Sequence, residues 1–211
     1  MIWAIIPVSV QGNEEKMYRI YLAAVDIVPA AIVLIPMFGV LSGCASNFDL
    51  RKSVLYCLFC LYLSAVFSLV GIPNVTYCRP ELNVNLIPFA GMIGDLKNSA
   101  LNVVLFIPLG LFLPLLWEPF RKLVPCTVYS FGLSLSIELL QMLTFRTTDV
   151  NDLITNVTGC VLGFLISKQL TERFPAMDQR SGDVFLLSIL SFGIMFFVHP
   201  FLSPLIWDSI L

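Results

Sequence analysis

The sequence is poor in charged side chains and has a single histidine, and both shortages restrict the class of protein. Only 12% of its 211 residues are charged, whereas a soluble domain carries about a quarter. The net charge is −2, so no basic surface suggests nucleic acid as a partner. The sequence has no HExxH motif, histidine cluster or Asp-rich calcium loop, and we expect neither a metal nor another cofactor.

Apolar residues make up 58% of the chain, which is typical of an integral membrane protein. A helix needs about 20 apolar residues to cross a bilayer. We therefore predict an all-α, polytopic membrane helical bundle that forms a single membrane domain over residues 1–211. The six apolar runs predict helices over residues 20–43, 54–72, 99–117, 123–145, 152–170 and 184–198.

Several local features refine this architecture. Pro29 and Pro36 in the first run, and Pro108 and Pro114 in the third, should kink these helices or cut them short. Residues 82–93 are apolar but too few to span, and they predict a re-entrant or interfacial segment. Residues 1–10 lack a basic region and a cleavage site, so we expect no signal peptide.

Basic side chains predict the orientation of the bundle. Seven of the twelve Lys and Arg residues follow the first, third and fifth helices, and five lie on the opposite side. The sequence therefore predicts both termini outside the membrane. Cys57 and Cys60 form a CxxC motif inside an apolar run without a nearby histidine, so we interpret them as small buried residues.

Polar residues from three regions converge at one depth, because the third and fifth helices begin on the side where the fourth ends. Ser134, Glu138 and Gln141 share one face of the fourth helix. Asp26, on the same side of the first helix, could join them. The candidate ligand-binding residues are Asp95, Lys97, Asn98, Asn102, Glu138, Gln141, Arg146, Asp149, Asp152 and Asn156.

Glu138 is the most informative of these residues, since it lies about 10 Å inside its predicted helix. A carboxylate in mid-membrane costs about 2.5–3.5 kcal/mol, so we expect it to pair with Arg146, Lys97 or an Asn amide, or to be protonated. It is either a polar link between helices or part of a ligand or catalytic site. Asp149 and Asp152 suit the start of a helix, and two carboxylates could also bind a divalent cation.

Three further positions have structural interpretations. Gly159 and Gly163 share a helix face, and this spacing lets two membrane helices pack backbone to backbone. Gly110 is predicted to do the same on the third helix. His199, next to Pro200, is predicted to be an interfacial residue at the end of the sixth helix.

The stretch over residues 82–170 resembles the VanZ-like family of membrane proteins. The matching pieces, in order, are Asn85-Leu-Ile-Pro88-Phe89, Asn102-Val-Val-Leu-Phe106-Ile-Pro108-Leu-Gly110, Leu133-Ser-Leu-Ser136-Ile-Glu138-Leu-Leu-Gln141, and Thr148-Asp149-Val-Asn-Asp152-Leu-Ile-Thr155-Asn156-Val-Thr158-Gly159 with Gly163. The second predicted helix takes the place of the family's first span. The resemblance implies a bacterial plasma membrane, a role at the cell envelope and a part in teicoplanin-type glycopeptide resistance. It implies no catalytic residues.

Three functions remain open from the sequence. The first is binding of a membrane lipid, a lipid-linked cell-wall precursor or a glycopeptide antibiotic at the outer polar cluster. The second is an intramembrane enzyme in which Glu138, or Asp149 with Asp152, acts as general acid or base. The third is a small transporter, which the gathering of carboxylates at one level disfavours. Replacing Glu138 by Gln separates the first two, because only the binding function should partly survive.

Overall fold

The computed structural model describes residues 13–44, 50–78, 80, 84–85, 87–89, 96–144, 148–173, 176–177 and 181–210. Six of its helical segments are long and apolar enough to cross a membrane, which confirms the all-α polytopic architecture. Helices dominate because a chain in lipid must satisfy its backbone hydrogen bonds internally. In chain order the helices are α1 (Asn13–Cys44), α2 (Leu50–Val70), α3 (Leu96–Leu116), α4 (Leu123–Gln141), α5 (Val150–Thr171), α6 (Gly182–Gly193) and α7 (His199–Ile210).

Short elements connect these helices. A 3-10 helix covers Glu118–Arg121, and a π-helical turn over Ile194–Val198 joins α6 to α7. Two strands of two residues, β1 (Val84–Asn85) and β2 (Thr148–Asp149), pair in parallel, with Asn85 opposite Asp149. The sequence did not predict this pairing. The remainder of the predicted re-entrant segment, residues 82–93, lies outside the described residues apart from residues 87–89.

Several predicted helix ends are wrong. The first helix begins at Asn13 rather than at residue 20, and the second begins at Leu50 rather than at residue 54. The fourth helix ends at Gln141 rather than at residue 145, because the carbonyl of Gln141 accepts both the N–H and the hydroxyl of Thr144. The sixth span does not end at residue 198 but continues into α7. Pro200 has no N–H to offer to the preceding turn, and the carbonyl of Phe196 instead accepts the N–H of Val75 at 3.1 Å.

The prolines do not shorten their helices. α1 continues through Pro29 and Pro36, and α3 continues through Pro108 and Pro114. Of the two predicted effects, the shortening is therefore wrong, and the kinks stay a prediction.

The chain contacts fall into two compact units, residues 1–79 with 187–211 and residues 80–186. In the first unit, Phe59 and Leu63 of α2 are fully buried, and Phe67 meets Phe192 edge to face at 6.2 Å. Cys57 and Cys60 are buried and free, as expected for small core residues. The single membrane domain predicted over residues 1–211 stays a prediction.

In the second unit, α3 and α5 pack backbone to backbone. A Cβ atom on Gly159 would overlap the carbonyl oxygen of Val103, and one on Gly163 would overlap that of Ile107. In the other direction, a Cβ on Gly110 would overlap the carbonyl oxygen of Cys160. The predicted role of the three glycines is confirmed, and their contact fixes the start of α5 beside α3.

Candidate functional site

The start of α5 is the centre of the polar cluster. Asp149 has an extended backbone and its Oδ1 accepts the N–H of Asn151 at 2.9 Å. Asp is among the preferred residues at this position because its carboxylate binds an amide that the first helical turn leaves unpaired. The predicted helix-start role of Asp149 is confirmed.

Glu138 of α4 binds the segment that precedes α5. Its side chain is buried, and its Oε2 accepts the backbone N–H of Asp149 at 3.0 Å. Its own carbonyl accepts the hydroxyl of Thr148 at 2.9 Å. The backbone amide of β2 thus gives the buried carboxyl group a hydrogen-bond partner, which helps to offset the cost of its burial.

Asp149 and Asn151 also form hydrogen bonds with a segment of the loop that precedes α3. Residues 84–85 and 87–89 form what we call the strap. Asn85 Nδ2 donates to Asp149 Oδ2 at 3.1 Å, and Asn85 Oδ1 accepts the N–H of Ile87 at 3.2 Å. The N–H of Phe89 donates to Asn151 Oδ1 at 2.6 Å. Phe89 has a positive φ of 62°, which is uncommon for a bulky residue, and this hydrogen bond helps to stabilise that conformation.

The strap is held in place by polar side chains, but the side chains that it exposes are apolar. Ile87 is 67% exposed and Phe89 is 66% exposed. The arrangement thus places an exposed apolar turn next to the half-buried carboxylate of Asp149 and the buried amide of Asn151.

Deeper in the second unit, α5 contacts α4 through a further amide. Asn156 is buried and its Nδ2 donates to Ser134 Oγ at 2.9 Å. Gln141 and Thr155 are also buried, and the Thr155 hydroxyl binds the carbonyl of Asn151 at 2.9 Å. Glu138 and Asn156 therefore lie on the buried sides of their helices, as their spacing indicated.

The structure brings together only some of the predicted site residues. Glu138 and Asp149 meet directly, and Gln141 and Asn156 are buried on the same pair of helices. Lys97 and Asn98 are exposed in the first turn of α3, while Asn102 and Asp152 are half-buried. Asp95 and Arg146 lie outside the described residues. Within the described ranges, no group of three or more His, Cys, Asp or Glu side chains could hold a metal ion.

Sequence reasoning did not include Asn85, Asn151 and Ser134 among the site residues. All three lie in the motif stretches, and an amide or hydroxyl side chain beside an apolar run was the available signal. Their partners could not be predicted, because the strap residues bind side chains 62 to 64 positions away.

A second polar cluster lies in the first unit, around Asp26 of α1. Its buried carboxylate accepts the hydroxyl of Ser68 at 3.0 Å and that of Ser203 at 3.4 Å, and Nε2 of His199 lies 3.1 Å from Oδ1. A cavity of about 30 Å³ adjoins Asp26, Ser68 and His199. His199 is therefore a partner of Asp26 inside a continuing helix, rather than the interfacial helix end that the sequence predicted.

The helices and the buried polar groups define a multi-pass α-helical membrane protein. A family profile described as VanZ/LLP1 matches residues 53–171, more than half of the chain, and the chain belongs to this family. The match begins within α2 and ends with α5, so it includes the helix expected to take the place of the family's first span.

One curated relative is Protein VanZ of Enterococcus faecium, which is 35% identical over 84 residues. The matched stretch is 39% of this chain and 51% of the relative, so the chain spans about half the length of that protein. No solved structure matches the chain.

Proposed function

We propose that this protein acts in the bacterial cell envelope, where it binds an amphiphilic ligand at the polar end of α4 and α5 and lowers sensitivity to teicoplanin-type glycopeptides. The ligand would be a membrane lipid, a lipid-linked cell-wall precursor or the antibiotic itself. Membership of the VanZ/LLP1 family supports the link to resistance. The observation that carries the binding function is the exposed apolar strap beside the half-buried Asp149 and the buried Asn151.

The chemistry of this region suits a ligand with a charged head and an apolar tail. Ile87 and Phe89 offer apolar area, and the exposed ammonium group of Lys97 belongs to the same unit. Binding sites for small molecules typically combine mostly apolar surface with a few placed polar groups. A phosphate or carboxylate head would be the natural partner of a lysine.

The carboxylates of the cluster favour binding over acid–base catalysis. Both oxygens of Asp149 accept hydrogen bonds, from Asn151 N–H and Asn85 Nδ2, and one oxygen of Glu138 accepts a backbone N–H. A general base must be within hydrogen-bond reach of the proton that it removes. These oxygens instead stabilise β2, the strap and the start of α5.

The test compares wild type with Glu138→Gln and Glu138→Ala in a susceptible Gram-positive host, at matched membrane expression. The Gln side chain keeps an oxygen that accepts the Asp149 N–H, so we expect it to retain much of the protection against teicoplanin. The Ala variant leaves that amide unpaired, which costs about 1–3 kcal/mol, and we expect it to lose protection. Susceptibility and labelled antibiotic retained on intact cells are the readouts.

Glu118→Gln is the matched control, because Glu118 is an exposed carboxylate in the 3-10 helix outside the cluster. It should behave as wild type. Loss of protection in Glu138→Gln at normal expression would instead favour a proton-transfer role and the enzyme interpretation. A wild-type protein that changes neither susceptibility nor antibiotic retention would refute the resistance function.

A further inference from the structure

α4 is a membrane-spanning helix whose polar side faces inward. Its polar face is at most 4% exposed, and this face consists of Cys126, Ser130, Ser134, Glu138 and Gln141. Its opposite face is apolar and exposed, and it consists of Val124, Val128, Phe131, Leu135 and Leu139. The apolar face suits lipid, so the polar groups of α4 lie inside the protein over nearly the whole helix.

This polar face crosses most of the hydrocarbon layer. The 15 steps from Cys126 to Gln141 correspond to about 22 Å along the helix axis, compared with about 30 Å for the hydrocarbon core of a bilayer. Close helix packing needs a few small residues, but it does not need an ionisable side chain at one end of a continuous polar row.

α5 completes the row with its own polar side chains. Asn156 donates to Ser134, and Cys160 Sγ lies 3.6 Å from Cys126 Sγ. We use the term seam for Cys126, Ser130, Ser134 and Glu138 of α4 together with Asn156 and Cys160 of α5.

Two buried polar atoms in the seam, Ser130 Oγ and Asn156 Oδ1, have no partner in good hydrogen-bond geometry among the described residues, and the Ser130 hydroxyl has the weakly bonding Cys160 thiol beside it. Flipping the side-chain amide of Asn156 would exchange the positions of its oxygen and nitrogen, and the NH₂ group would then be the atom without a partner. An unpartnered amide or hydroxyl in an apolar interior is unfavourable, and buried waters commonly bind such atoms. A bound water at each atom would supply the missing partner.

The spacing of the seam suits single water molecules. The Cβ atoms of side chains one helical turn apart, such as Ser130 and Ser134 or Ser134 and Glu138, are separated by about 5–6 Å. One water bridges such a gap with two O–H···O hydrogen bonds of about 2.8 Å each. Alternating side chains and waters would form a continuous hydrogen-bonded row that ends on a carboxylate.

We propose that the seam holds a file of water molecules and relays protons between Glu138 and the Cys126 end of α4. Each hydroxyl or water accepts a proton on one side and releases one on the other, so nothing is oxidised or reduced. Ionisable residues within membrane spans commonly mark such relays. This function is independent of any ligand bound beside the strap.

Water occupancy is tested by solid-state NMR on the labelled full-length protein in lipid bilayers, through magnetisation transfer from water protons. We expect strong transfer to Ser130 and Asn156. Ser167 of α5 is the matched control, because it is equally buried but its hydroxyl already donates to the carbonyl of Phe164 at 2.7 Å. Transfer to Ser130 and Asn156 no stronger than to Ser167 would refute the water file.

Proton relay is tested in liposomes that contain the full-length protein and a pH-sensitive dye, under a potassium diffusion potential. Wild type should conduct protons several-fold faster than protein-free liposomes, and Ser130→Ala with Ser134→Ala should remove most of this flux. Ser136→Ala is the control, since Ser136 lies on the exposed face of α4 and binds the carbonyl of Gly132. Ser130→Thr keeps a hydroxyl and should keep the flux, whereas loss of flux in this variant as well would overturn the relay.

A hydrated seam without wild-type flux above background would overturn the relay, as would equal flux from the wild type and the seam variant. Neither outcome changes the result of the glycopeptide-susceptibility test. The ligand-binding proposal and the proton-relay proposal can therefore be refuted independently of each other.

Discussion

Asn151 and Glu138 each use a side-chain oxygen to bind the backbone N–H of a distant residue. Asn151 binds Phe89 and Glu138 binds Asp149. Such contacts carry more weight in a membrane protein than at a wet surface, because a buried amide that loses its partner finds little water to replace it. The polar residues of the site are thus primarily the supports of an irregular backbone segment.

The strap should loosen when its amide acceptor is removed. In Asn151→Ala the N–H of Phe89 loses its partner, and we expect the local opening free energy to fall by about 0.5–1.5 kcal/mol. Hydrogen exchange at Phe89 should then accelerate by about two- to tenfold, which mass spectrometry on strap peptides can measure. Asn151→Asp keeps an acceptor oxygen and should exchange more slowly than the Ala variant. Equal rates in Asn151→Ala and wild type would show that this bond does not stabilise the strap.

At the scale of elements, the contact between α3 and α5 depends on glycine. Gly159→Ala places a Cβ atom against the Val103 carbonyl, so the helices must separate. Overpacking of this kind costs about 1–3 kcal/mol. We expect a corresponding loss in the free energy of unfolding, followed by circular dichroism in a denaturing-detergent titration.

Gly132→Ala is the matched control for this prediction. Gly132 lies within α4, and a Cβ atom there would meet no atom within 4 Å. Alanine favours a helix over glycine by about 0.5–1 kcal/mol, so this variant should be neutral or slightly more stable. If Gly159→Ala and Gly132→Ala unfold alike, the close packing of α3 and α5 does not contribute measurably to stability.

The elements themselves could be predicted from the sequence, since long apolar runs leave the chain few alternatives to helices. Their ends were less predictable, because contacts outside the run decide them. Thr144 stops α4 by occupying the carbonyl of Gln141, and Val75 compensates for Pro200 by binding the carbonyl of Phe196. Neither contact produces a periodic pattern in the sequence from which it could be predicted.

At the scale of the whole chain, one-dimensional periodicity predicted the shared face of Glu138 and Gln141 and the helix start at Asp149. It could not predict the pairing of β1 with β2, which joins residues 64 positions apart. It also gave no sign that Asp26 and His199 are partners, because these residues lie in α1 and α7, at opposite ends of the sequence. Local patterns thus indicated which side chains are buried, whereas the partners depend on the tertiary fold.

The orientation in the membrane can be tested with a cysteine that the chain already has. Cys78 is exposed and free in the connection between α2 and α3, and the distribution of basic residues predicts that this connection lies outside. In a Cys44→Ser background, a membrane-impermeant maleimide should label Cys78 on intact cells, while Cys57 and Cys60 should stay unlabelled because they are buried. Glu118→Cys combined with Cys78→Ser reports the opposite side and should label only after permeabilisation. The reverse pattern would invert the bundle, and it would place the strap and the Glu138 end of the seam on the inner side, where a ligand would have to reach them from the cytoplasm.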